Sequence, residues 1–195
     1  MKLFIISDIH GSVTAFNKAV EAFNRENASL MIICGDYLNH GPRNPLPEGH
    51  DTKALAAALN SMKTKISGVR GNCDSEVDQM MLDFPVTEAS CRIMLFGSPS
   101  CTVFVHHGHL YTPEKAAEIT EPGTIIVSGH THVPVLEYAY ERYFVNPGSI
   151  SLPKENSEPG YAIIETAENG TVKEICLKKL DGTKVIRLPC NDIIS

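Results

Sequence analysis

Five short apolar runs, each followed at once by side chains that can bind a metal ion, constrain this sequence more than any other feature. The runs cover residues 3–6, 30–34, 66–69, 102–105 and 125–127. Continuous apolar runs of this length, bounded by glycine and polar residues, are typical of buried strands. In open α/β sheets, sites form outside the carboxyl ends of the strands. We therefore expect the five run ends to meet at one metal centre.

The first part of the chain predicts a β-α-β unit. Residues 12–25 place apolar side chains at helical spacing, and either Ser12 or Thr14 can cap this helix. With the apolar runs on either side, the helix makes residues 2–36 a right-handed crossover between parallel strands. The loop that follows, residues 37–50, is rich in proline and glycine, and a loop of this length beside a site is typically a functional cover.

The end of the chain predicts a second sheet. Its apolar runs are separated by turn residues at 168–170 and at Asp181 and Gly182. We expect these runs to form an antiparallel meander in a second sheet packed on the first, within a single domain over residues 1–195. The predicted meander strands are 161–164, 172–177 and 185–188, and the further predicted helices are 53–63, 75–82 and 113–119.

Composition and charge exclude several classes of protein. The formal net charge of −6 argues against a dedicated nucleic-acid binder, which would need a basic face. The first apolar run is too short for a signal peptide, and no run approaches the roughly 18 apolar residues that span a membrane. The six cysteines include no C-x-x-C pair, which favours reduced thiols. We expect a cytoplasmic protein that does not bind membranes, and a homo-oligomer is compatible with its size.

The residues after the apolar runs form a mixed oxygen and imidazole ligand set. Asp8 and His10 stand two positions apart after the first run, where period-2 strand geometry would point both to one side. His130 and His132 repeat this spacing after the fifth run. The other expected ligands are Asp36, Asn72 and His107.

The size of this set predicts two ions. Seven protein ligands are too many for one catalytic ion, which must keep an open position. They suit two ions about 3.5–4 Å apart, since a carboxylate such as Asp36 can bridge both. Oxygen and imidazole ligands without thiolate favour two divalent ions of the Mn²⁺, Zn²⁺, Fe²⁺ or Co²⁺ group, and we expect Mn²⁺ first. Ca²⁺ and Mg²⁺ fit less well because they prefer all-oxygen shells.

Taken together, the motifs resemble the five-part signature of the calcineurin-like metallophosphoesterases. Residues 35–44 and 70–80 are similar to the YfcE-like bacterial phosphodiesterases within that family, and the NPGS segment at 146–149 is typical of the same branch. The resemblance covers about residues 1–165 and implies an α/β fold of two packed β-sheets flanked by helices, the metallophosphoesterase β-sandwich. The five motifs are Asp8-x-His10, Gly35-Asp36, Gly71-Asn72, His107-Gly108-His109 and Gly129-His130-Thr131-His132.

The resemblance also implies an activity and a division of the ligands. It implies hydrolysis of a small phosphodiester by a metal-activated hydroxide, with positioning and charge neutralisation supplying most of the catalysis. The first ion would be held by Asp8, His10, Asp36 and His132. The second ion would be held by Asp36, Asn72, His107 and His130.

One position departs from the family pattern. Many members carry a histidine after Gly-Asn to assist the leaving group, whereas this chain has Cys73 followed by Asp74. A thiol with a pKa near about 8.5 is a weak general acid at neutral pH, so we expect slow turnover and a preference for diesters or for good leaving groups. Asp74 is expected to support a ligand histidine. The expected catalytic residues are Asp36, Asn72, Cys73 and Asp74.

Three further residues are expected near the substrate. His40 and Arg43 lie in the loop after Asp36, and an arginine can bind phosphate oxygens in a bidentate manner. The alternative for both is a role in stabilising the loop. His109 is expected to orient His107 or to touch the substrate, with a structural role as its alternative.

Two other functions fit the same ligand set. A phosphomonoesterase or nucleotidase would use the same motifs. A catalytically weak metal-binding scaffold for protein partners would keep the fold, although such a scaffold can lose ligands and all seven positions are competent here. A nuclease is less well supported because the chain is acidic and shows no additional nucleic-acid-binding module.

Overall fold

Two mixed β-sheets with helices on their outer faces make up the fold, as predicted. The structure is a computed structural model that describes residues 1–97 and 100–189. The first sheet has the order β11 (Lys184–Pro189), β10 (Val172–Lys179), β9 (Gly160–Thr166), β1 (Lys2–Ile6), β2 (Leu30–Ile33) and β3 (Ile66–Gly68). The second has the order β4 (Ser90–Leu95), β5 (Cys101–His106), β6 (Ile125–Val127), β8 (Arg142–Pro147) and β7 (Pro134–Ala139). The helices are α1 (Val13–Glu26), α2 (Thr52–Ser61), α3 (Glu76–Met81) and α4 (Pro113–Glu118), with a 3₁₀ turn at Lys63–Lys65.

The β-α-β prediction is confirmed at the start of the chain. β1 and β2 pair in parallel, and α1 connects them. Of the two expected caps, Ser12 is the one used: its hydroxyl oxygen accepts the N–H of Ala15 at 3.1 Å, satisfying one of the orphan donors of the first turn. The predicted loop is also present, since no helix or strand lies between β2 and α2.

Strand β1 contributes to two separate cores because successive side chains point to opposite faces of a sheet. Phe4 and Ile6 pack in the core beneath α1 and α2, whereas Leu3 and Ile5 pack in the core between the two sheets. Each such side chain contributes about 1.5–3 kcal/mol by leaving water. A strand buried on both faces is therefore held firmly within its sheet. The backbone that leads to Asp8 and His10 is fixed where β1 ends.

The predicted position of the C-terminal meander is wrong. The three strands form and pair antiparallel, but they extend the first sheet: β9 pairs with the free edge of β1, with Lys2 opposite Glu165. The second sheet is built instead from residues 90–147, whose strands β4, β7 and β8 were not predicted. β4 and β7 are edge strands with partly exposed side chains, so they lack the continuous apolar runs that mark buried strands.

Two further observations concern the described cysteines and helices. Cys34, Cys73, Cys91, Cys101 and Cys176 are free thiols, and Cys190 lies outside the described residues. Among the helices of residues 1–97 and 100–189, none has the length and hydropathy needed to cross a membrane.

Candidate metal centre

The expected ligands follow strands of both sheets. β1, β2 and β3 of the first sheet lead to the segments of Asp8, Asp36 and Asn72. β5 and β6 of the second sheet lead to those of His107 and His130. The five strand ends thus meet as predicted, but between two packed sheets and not along the edge of a single one.

Left-handed backbone, not strand alternation, aims most of these side chains. β1 ends at Ile6, so Asp8 and His10 lie beyond the strand and the period-2 reasoning does not apply to them. For a residue other than glycine this conformation costs roughly 1–2 kcal/mol, and such strain is characteristic of functional sites. The positive φ values are 56° at Asp8, 50° at His10, 56° at Asp36, 70° at His130 and 62° at His132.

Hydrogen bonds between the loops hold this strained backbone. The N–H of Asp8 donates to the carbonyl of Gly35 at 3.1 Å, and that of His10 donates to the carbonyl of Asp36 at 3.0 Å. Gly71 packs so closely on Asp36 that an added Cβ would collide with the carboxylate, which explains the need for glycine there. The ligand loops therefore position one another.

Four ligand atoms converge at what we call the first cation site. The Nε2 atoms of His10 and His132 are 3.1 Å apart, and Asp8 Oδ1 lies 3.7 Å from the former and 3.4 Å from the latter. Asp36 Oδ2 lies 3.6 Å from His10 Nε2. Ligands bound about 2.0–2.2 Å from one ion stand roughly 3–3.6 Å apart in tetrahedral or octahedral geometry, so these separations suit a single divalent ion.

A second group of atoms, which we call the second cation site, shares the same carboxylate oxygen. Asp36 Oδ2 is 3.5 Å from His107 Nε2. Asn72 Oδ1 is 3.0 Å from His107 Nε2 and 2.6 Å from His130 Nδ1. Asp36 therefore stands between the two groups, as a bridging carboxylate must.

Backbone carbonyls fix three of the imidazole rings with the ligand nitrogen turned inward. The Nδ1 atoms of His10, His107 and His132 lie 2.9, 2.6 and 2.6 Å from the carbonyl oxygens of Asn39, Cys34 and Leu152, respectively. A carbonyl oxygen only accepts, so each Nδ1 carries a proton and each Nε2 is turned toward the other ligands. Such outer partners are typical of histidines that bind metals.

The first cation site brings together acceptors without matching donors. Burial lowers the pKa of His10, and its Nε2 lies only 3.1 Å from that of His132. Asp8 is fully buried, and while its Oδ2 accepts the N–H of His130 at 3.0 Å, its Oδ1 has no hydrogen-bond partner among the described residues. A divalent cation is the partner that suits such a donor set.

The second cation site also attracts positive charge. Burial alone would raise the pKa of Asp36, but its interactions with His107 and the N–H of Cys73 lower it to about 2. Burial alone would lower the pKa of His107, but Asp36 and the charge of Asp8 raise it to about 9. The negative field that favours a proton on His107 favours a bound cation in the same place.

The expected role of Asp74 is wrong in its detail. This buried carboxylate accepts the backbone N–H groups of Asp36 at 2.8 Å, Tyr37 at 2.8 Å and Gly71 at 2.6 Å. It thus ties the Asp36 loop to the Asn72 loop through their backbones and does not partner a histidine. Burial and the nearby charge of Asp36 raise the pKa of Asp74 to about 7, against the effect of the three N–H donors.

Cys73 lies at the second cation site beside two ligands. Its N–H donates to Asp36 Oδ1 at 2.8 Å, and its Sγ accepts from Asn72 Nδ2 at 3.2 Å. The latter contact turns the amide oxygen of Asn72 toward His107 and His130. Burial, together with the charge of Asp36, raises the pKa of the Cys73 thiol to about 12.

The expected substrate contacts differ in how closely they approach the ligands. His109 is partly buried, with its ring centroid 5.3 Å from that of His107 and 6.2 Å from that of His130, and its Nδ1 has no hydrogen-bond partner among the described residues. His40 stacks edge-on against His50 at 5.5 Å, and Arg43 is exposed on the same loop. His109 therefore adjoins the second cation site, whereas the other two lie on the covering loop.

Comparison with known proteins agrees with this geometry. The model of the calcineurin-like phosphoesterase superfamily domain matches residues 1–169. The chain is 44% identical over 165 residues to the phosphodiesterase YfcE of Escherichia coli. This alignment covers 85% of this chain and 88% of YfcE. The chain is 24% identical over 151 residues to the phosphodiesterase MJ0936 of Methanocaldococcus jannaschii, which covers 76% of this chain and 83% of that protein.

Solved structures extend the similarity to the fold. A structure of YfcE, described as a phosphoesterase from E. coli, superposes with a TM-score of 0.88 at 38% identity and covers 98% of this chain and 100% of its own. A Zn²⁺ complex of Vps29 from Entamoeba histolytica superposes with a TM-score of 0.63 at 19% identity, covering 98% of this chain and 100% of its own, which shows a shared fold.

Proposed function

This chain belongs to the calcineurin-like phosphoesterase superfamily, and on that premise we propose that it hydrolyses a small phosphodiester at a two-ion centre. The observation that carries the proposal is the shared position of Asp36 Oδ2, 3.6 Å from His10 Nε2 and 3.5 Å from His107 Nε2. One carboxylate oxygen between two imidazole groups is the arrangement that two neighbouring ions require. The similarity to YfcE, named a phosphodiesterase, favours diesters as substrates.

The chain would hold the two ions with the ligands described above. Asp8, His10 and His132 would bind at the first cation site, Asn72, His107 and His130 at the second, and Asp36 at both. When bound, two divalent ions would neutralise phosphate charge and lower the pKa of a water molecule enough to supply the nucleophile. We propose Mn²⁺ as the native ion, with Zn²⁺, Fe²⁺ and Co²⁺ as alternatives, because the ligands are oxygens and imidazoles.

Residues around the centre would position the substrate. His109 adjoins the second cation site, with its ring beside those of His107 and His130, so it would lie near a bound phosphate. His40 and Arg43 would approach the ester from the covering loop, where Gly41 packs against Cys73. With its pKa near 12, the Cys73 thiol is a weak acid, which favours leaving groups that need little protonation.

The cellular setting belongs to the same proposal. Five described cysteines are free thiols, in keeping with a reducing compartment, and we place the enzyme in the cytoplasm. Its partner there is a small phosphodiester, without dedicated nucleic-acid binding, because the chain carries a net charge of −6.

The decisive experiment compares a bis-aryl phosphate with the matching aryl monoester. Metal-stripped protein is resupplied with Mn²⁺, and the wild type is assayed beside Asp36→Ala and beside Asp83→Asn, an exposed aspartate paired with Lys63, as the control. We expect Mn²⁺-dependent cleavage of the diester that Asp36→Ala loses and Asp83→Asn retains.

Three other outcomes would redirect the proposal. Faster cleavage of the monoester would indicate a phosphomonoesterase or nucleotidase. Absence of activity with Mn²⁺, Co²⁺, Zn²⁺ and Fe²⁺, in protein that binds about two equivalents of metal, would indicate a metal-binding scaffold. Activity independent of added metal and insensitive to Asp36→Ala would contradict the two-ion centre.

A further inference from the structure

The segment at the end of β8 connects the two ligand loops of the first cation site. It begins with the NPGS residues 146–149 and continues to Leu152, and both Asn146 and Ser149 are buried. None of the seven proposed metal ligands lies in this segment. Its hydrogen bonds show what it contacts.

Ser149 uses all the hydrogen-bonding capacity of its hydroxyl group. The O–H donates to the carbonyl of Asp8 at 2.7 Å, and the oxygen accepts the N–H groups of Ser151 at 3.2 Å and Leu152 at 2.9 Å. The hydroxyl of Ser151 donates to the same Asp8 carbonyl at 3.0 Å. Asp8 is thereby tied to a segment more than 140 residues away in sequence.

Asp8 needs such external support because its own backbone is strained. Its φ of 56° is left-handed, and its N–H is taken by Gly35 at 3.1 Å. With the carbonyl taken by Ser149 and Ser151, both backbone polar groups of Asp8 bind to other segments. The peptide is therefore fixed on both sides, which fixes the origin of a short side chain whose Oδ1 must reach the ion.

The same hydroxyl also acts on His132 through one intermediate residue. Leu152 donates its N–H to Ser149 and accepts the Nδ1–H of His132 at its carbonyl at 2.6 Å. That bond sets the rotation of the His132 ring, whose Nε2 lies 3.4 Å from Asp8 Oδ1. The Ser149 side chain therefore positions two ligands of the first cation site, Asp8 directly and His132 through Leu152.

The second cation site is oriented by different groups. The carbonyl of Cys34 fixes His107, and the contact with Cys73 orients the amide of Asn72. Asn146 holds the loop between the two sites, since its Nδ2 donates to the carbonyl of Gly129 at 2.8 Å. The hydrogen bonds of Ser149 go instead to Asp8, Ser151 and Leu152.

We propose that Ser149 is a positioning residue that sets the ion affinity of the first cation site much more than that of the second, which Asp8 contacts through the N–H of His130. Its hydroxyl fixes Asp8 directly and His132 through Leu152 at the separation that one divalent ion requires. This role rests on the proposed two-ion function. Loss of an outer partner of a metal ligand typically weakens metal binding about 10–100-fold.

The test is a calorimetric Mn²⁺ titration of metal-stripped protein, which separates the two binding events without any assay of activity. His10→Ala identifies the event at the first cation site, and Asn72→Ala identifies the event at the second. Ser149→Ala is expected to raise the Kd of the first site about 10–100-fold and that of the second by a smaller factor, so that the ratio of the two Kd values rises. Ser149→Cys, which keeps a weak donor of similar size, should give an intermediate Kd.

Two further variants control for disruption of the fold. Ser7→Ala removes a fully buried hydroxyl next to Asp8 that has no hydrogen-bond partner among the described residues, so both Kd values should stay at the wild-type level. Ser151→Ala removes the second donor to Asp8 from a partly exposed position and should weaken the first site less than Ser149→Ala does. It serves as the test if Ser149→Ala fails to fold.

The outcomes distinguish this role from the proposed function. Wild-type protein that binds two ions, with Ser149→Ala or Ser151→Ala weakening both sites equally or neither, would overturn the positioning role alone. Wild-type protein that binds fewer than two ions would overturn the two-ion function and the positioning role together. A changed ratio of the two Kd values supports the role, because a general loss of stability would not alter that ratio.

Discussion

Strand β1 runs between two polar clusters of opposite character, one partly buried and one buried. At the start of the strand, Glu26, the last residue of α1, contacts two lysines and a tyrosine hydroxyl. Beyond its last residue, Asp8 and His10 help gather acceptors at the other end. Both clusters are formed by segments distant in sequence, but only one of them balances its own charge.

The Glu26 cluster satisfies itself. The carboxylate receives Lys178 Nζ at 2.6 Å and the Tyr161 hydroxyl at 2.8 Å, and Lys2 Nζ stands 3.5 Å away. Burial alone would raise the pKa of Glu26, but the bonds from Lys178 and Tyr161 lower it below its usual value. Lys2 Nζ also lies 3.8 Å from Glu165. Both lysines and both carboxylates therefore have partners of opposite charge, so the cluster needs no ligand and stabilises the fold.

The metal centre is the reverse case. Asp8 Oδ1 has no hydrogen-bond partner among the described residues, and the Nε2 atoms of His10 and His132 face each other at 3.1 Å. Buried acceptors without donors destabilise the protein unless a cation joins them. A polar cluster whose charges and hydrogen-bonding groups are all paired indicates a structural role. A cluster with unpaired buried acceptors indicates a site for a bound partner.

The largest expected effect is on activity at the metal centre. Asp36→Asn should reduce phosphodiester hydrolysis on the order of 10²–10³-fold, because the amide cannot bridge two ions. In metal-free protein the same change should lower the Tm, because, against the effect of burial, His107 and the N–H of Cys73 hold the pKa of Asp36 at about 2 and the ionised carboxylate therefore stabilises the fold. Hydrolysis by Asp36→Asn at the wild-type rate would contradict the bridging role of Asp36.

Metal binding should stabilise the folded protein. An ion present at 100 times its Kd contributes about 2.7 kcal/mol, which for a chain of this size raises Tm by roughly 5–10 °C. Differential scanning calorimetry of metal-stripped protein with and without Mn²⁺ measures the shift. Asp8→Asn should reduce it, whereas an equal shift in this variant would show that the ion binds elsewhere.

Mutation of the Glu26 cluster should lower stability and leave activity unchanged. Glu26→Gln leaves Lys178 without its carboxylate and should lower the free energy of unfolding by about 1.5–3 kcal/mol, with phosphodiesterase activity unchanged. Chemical denaturation measures the first quantity. Glu158→Gln is the matched control, because it breaks an exposed pair with the neighbouring Lys179 and should cost less than about 1 kcal/mol. Equal losses in the two variants would contradict the distinction.

The smallest effect we expect is on the pH dependence of the stability that Glu26 contributes. The pKa of Glu26 in the folded protein is below the unfolded value of 4.5, so its stabilisation is fully present above that value and is lost as the pH falls through the folded pKa. The difference in unfolding free energy between wild type and Glu26→Gln, both metal-free, should therefore be constant above about pH 5.5 and shrink toward pH 3. A difference that grows on acidification would reverse the sign and contradict the pairing.

Local patterns in the sequence were sufficient for the helices and for most of the buried strands, although they missed the buried strand β8. They were also sufficient to propose the seven ligands. The apolar run of β1 and the helical spacing of α1 are readable because burial repeats with the period of each element. The ligand types are readable because carboxylate, amide and imidazole groups directly after buried strands have few other uses. The structure brings all seven into the two groups around Asp36.

Other features could not be read from local patterns. β9 pairs with β1 across about 160 residues, and Asp74 binds backbone N–H groups of a loop 37 residues earlier. Neither choice leaves a periodic signal, because strand pairing and carboxylate partners depend on which surfaces meet. The role of Ser149 was hidden for the same reason, although its NPGS segment was noticed as a pattern.

The sequence by itself determined which side chains could bind cations and which segments would be buried beside them, because residue type and hydrophobic periodicity are local properties. The tertiary structure decided that two sheets share the centre, that left-handed backbone aims Asp8 and His132, and that a serine more than 140 residues from Asp8 holds it in place. Those outcomes depend on hydrogen bonds between distant segments, whose geometry exists only after the two sheets have packed.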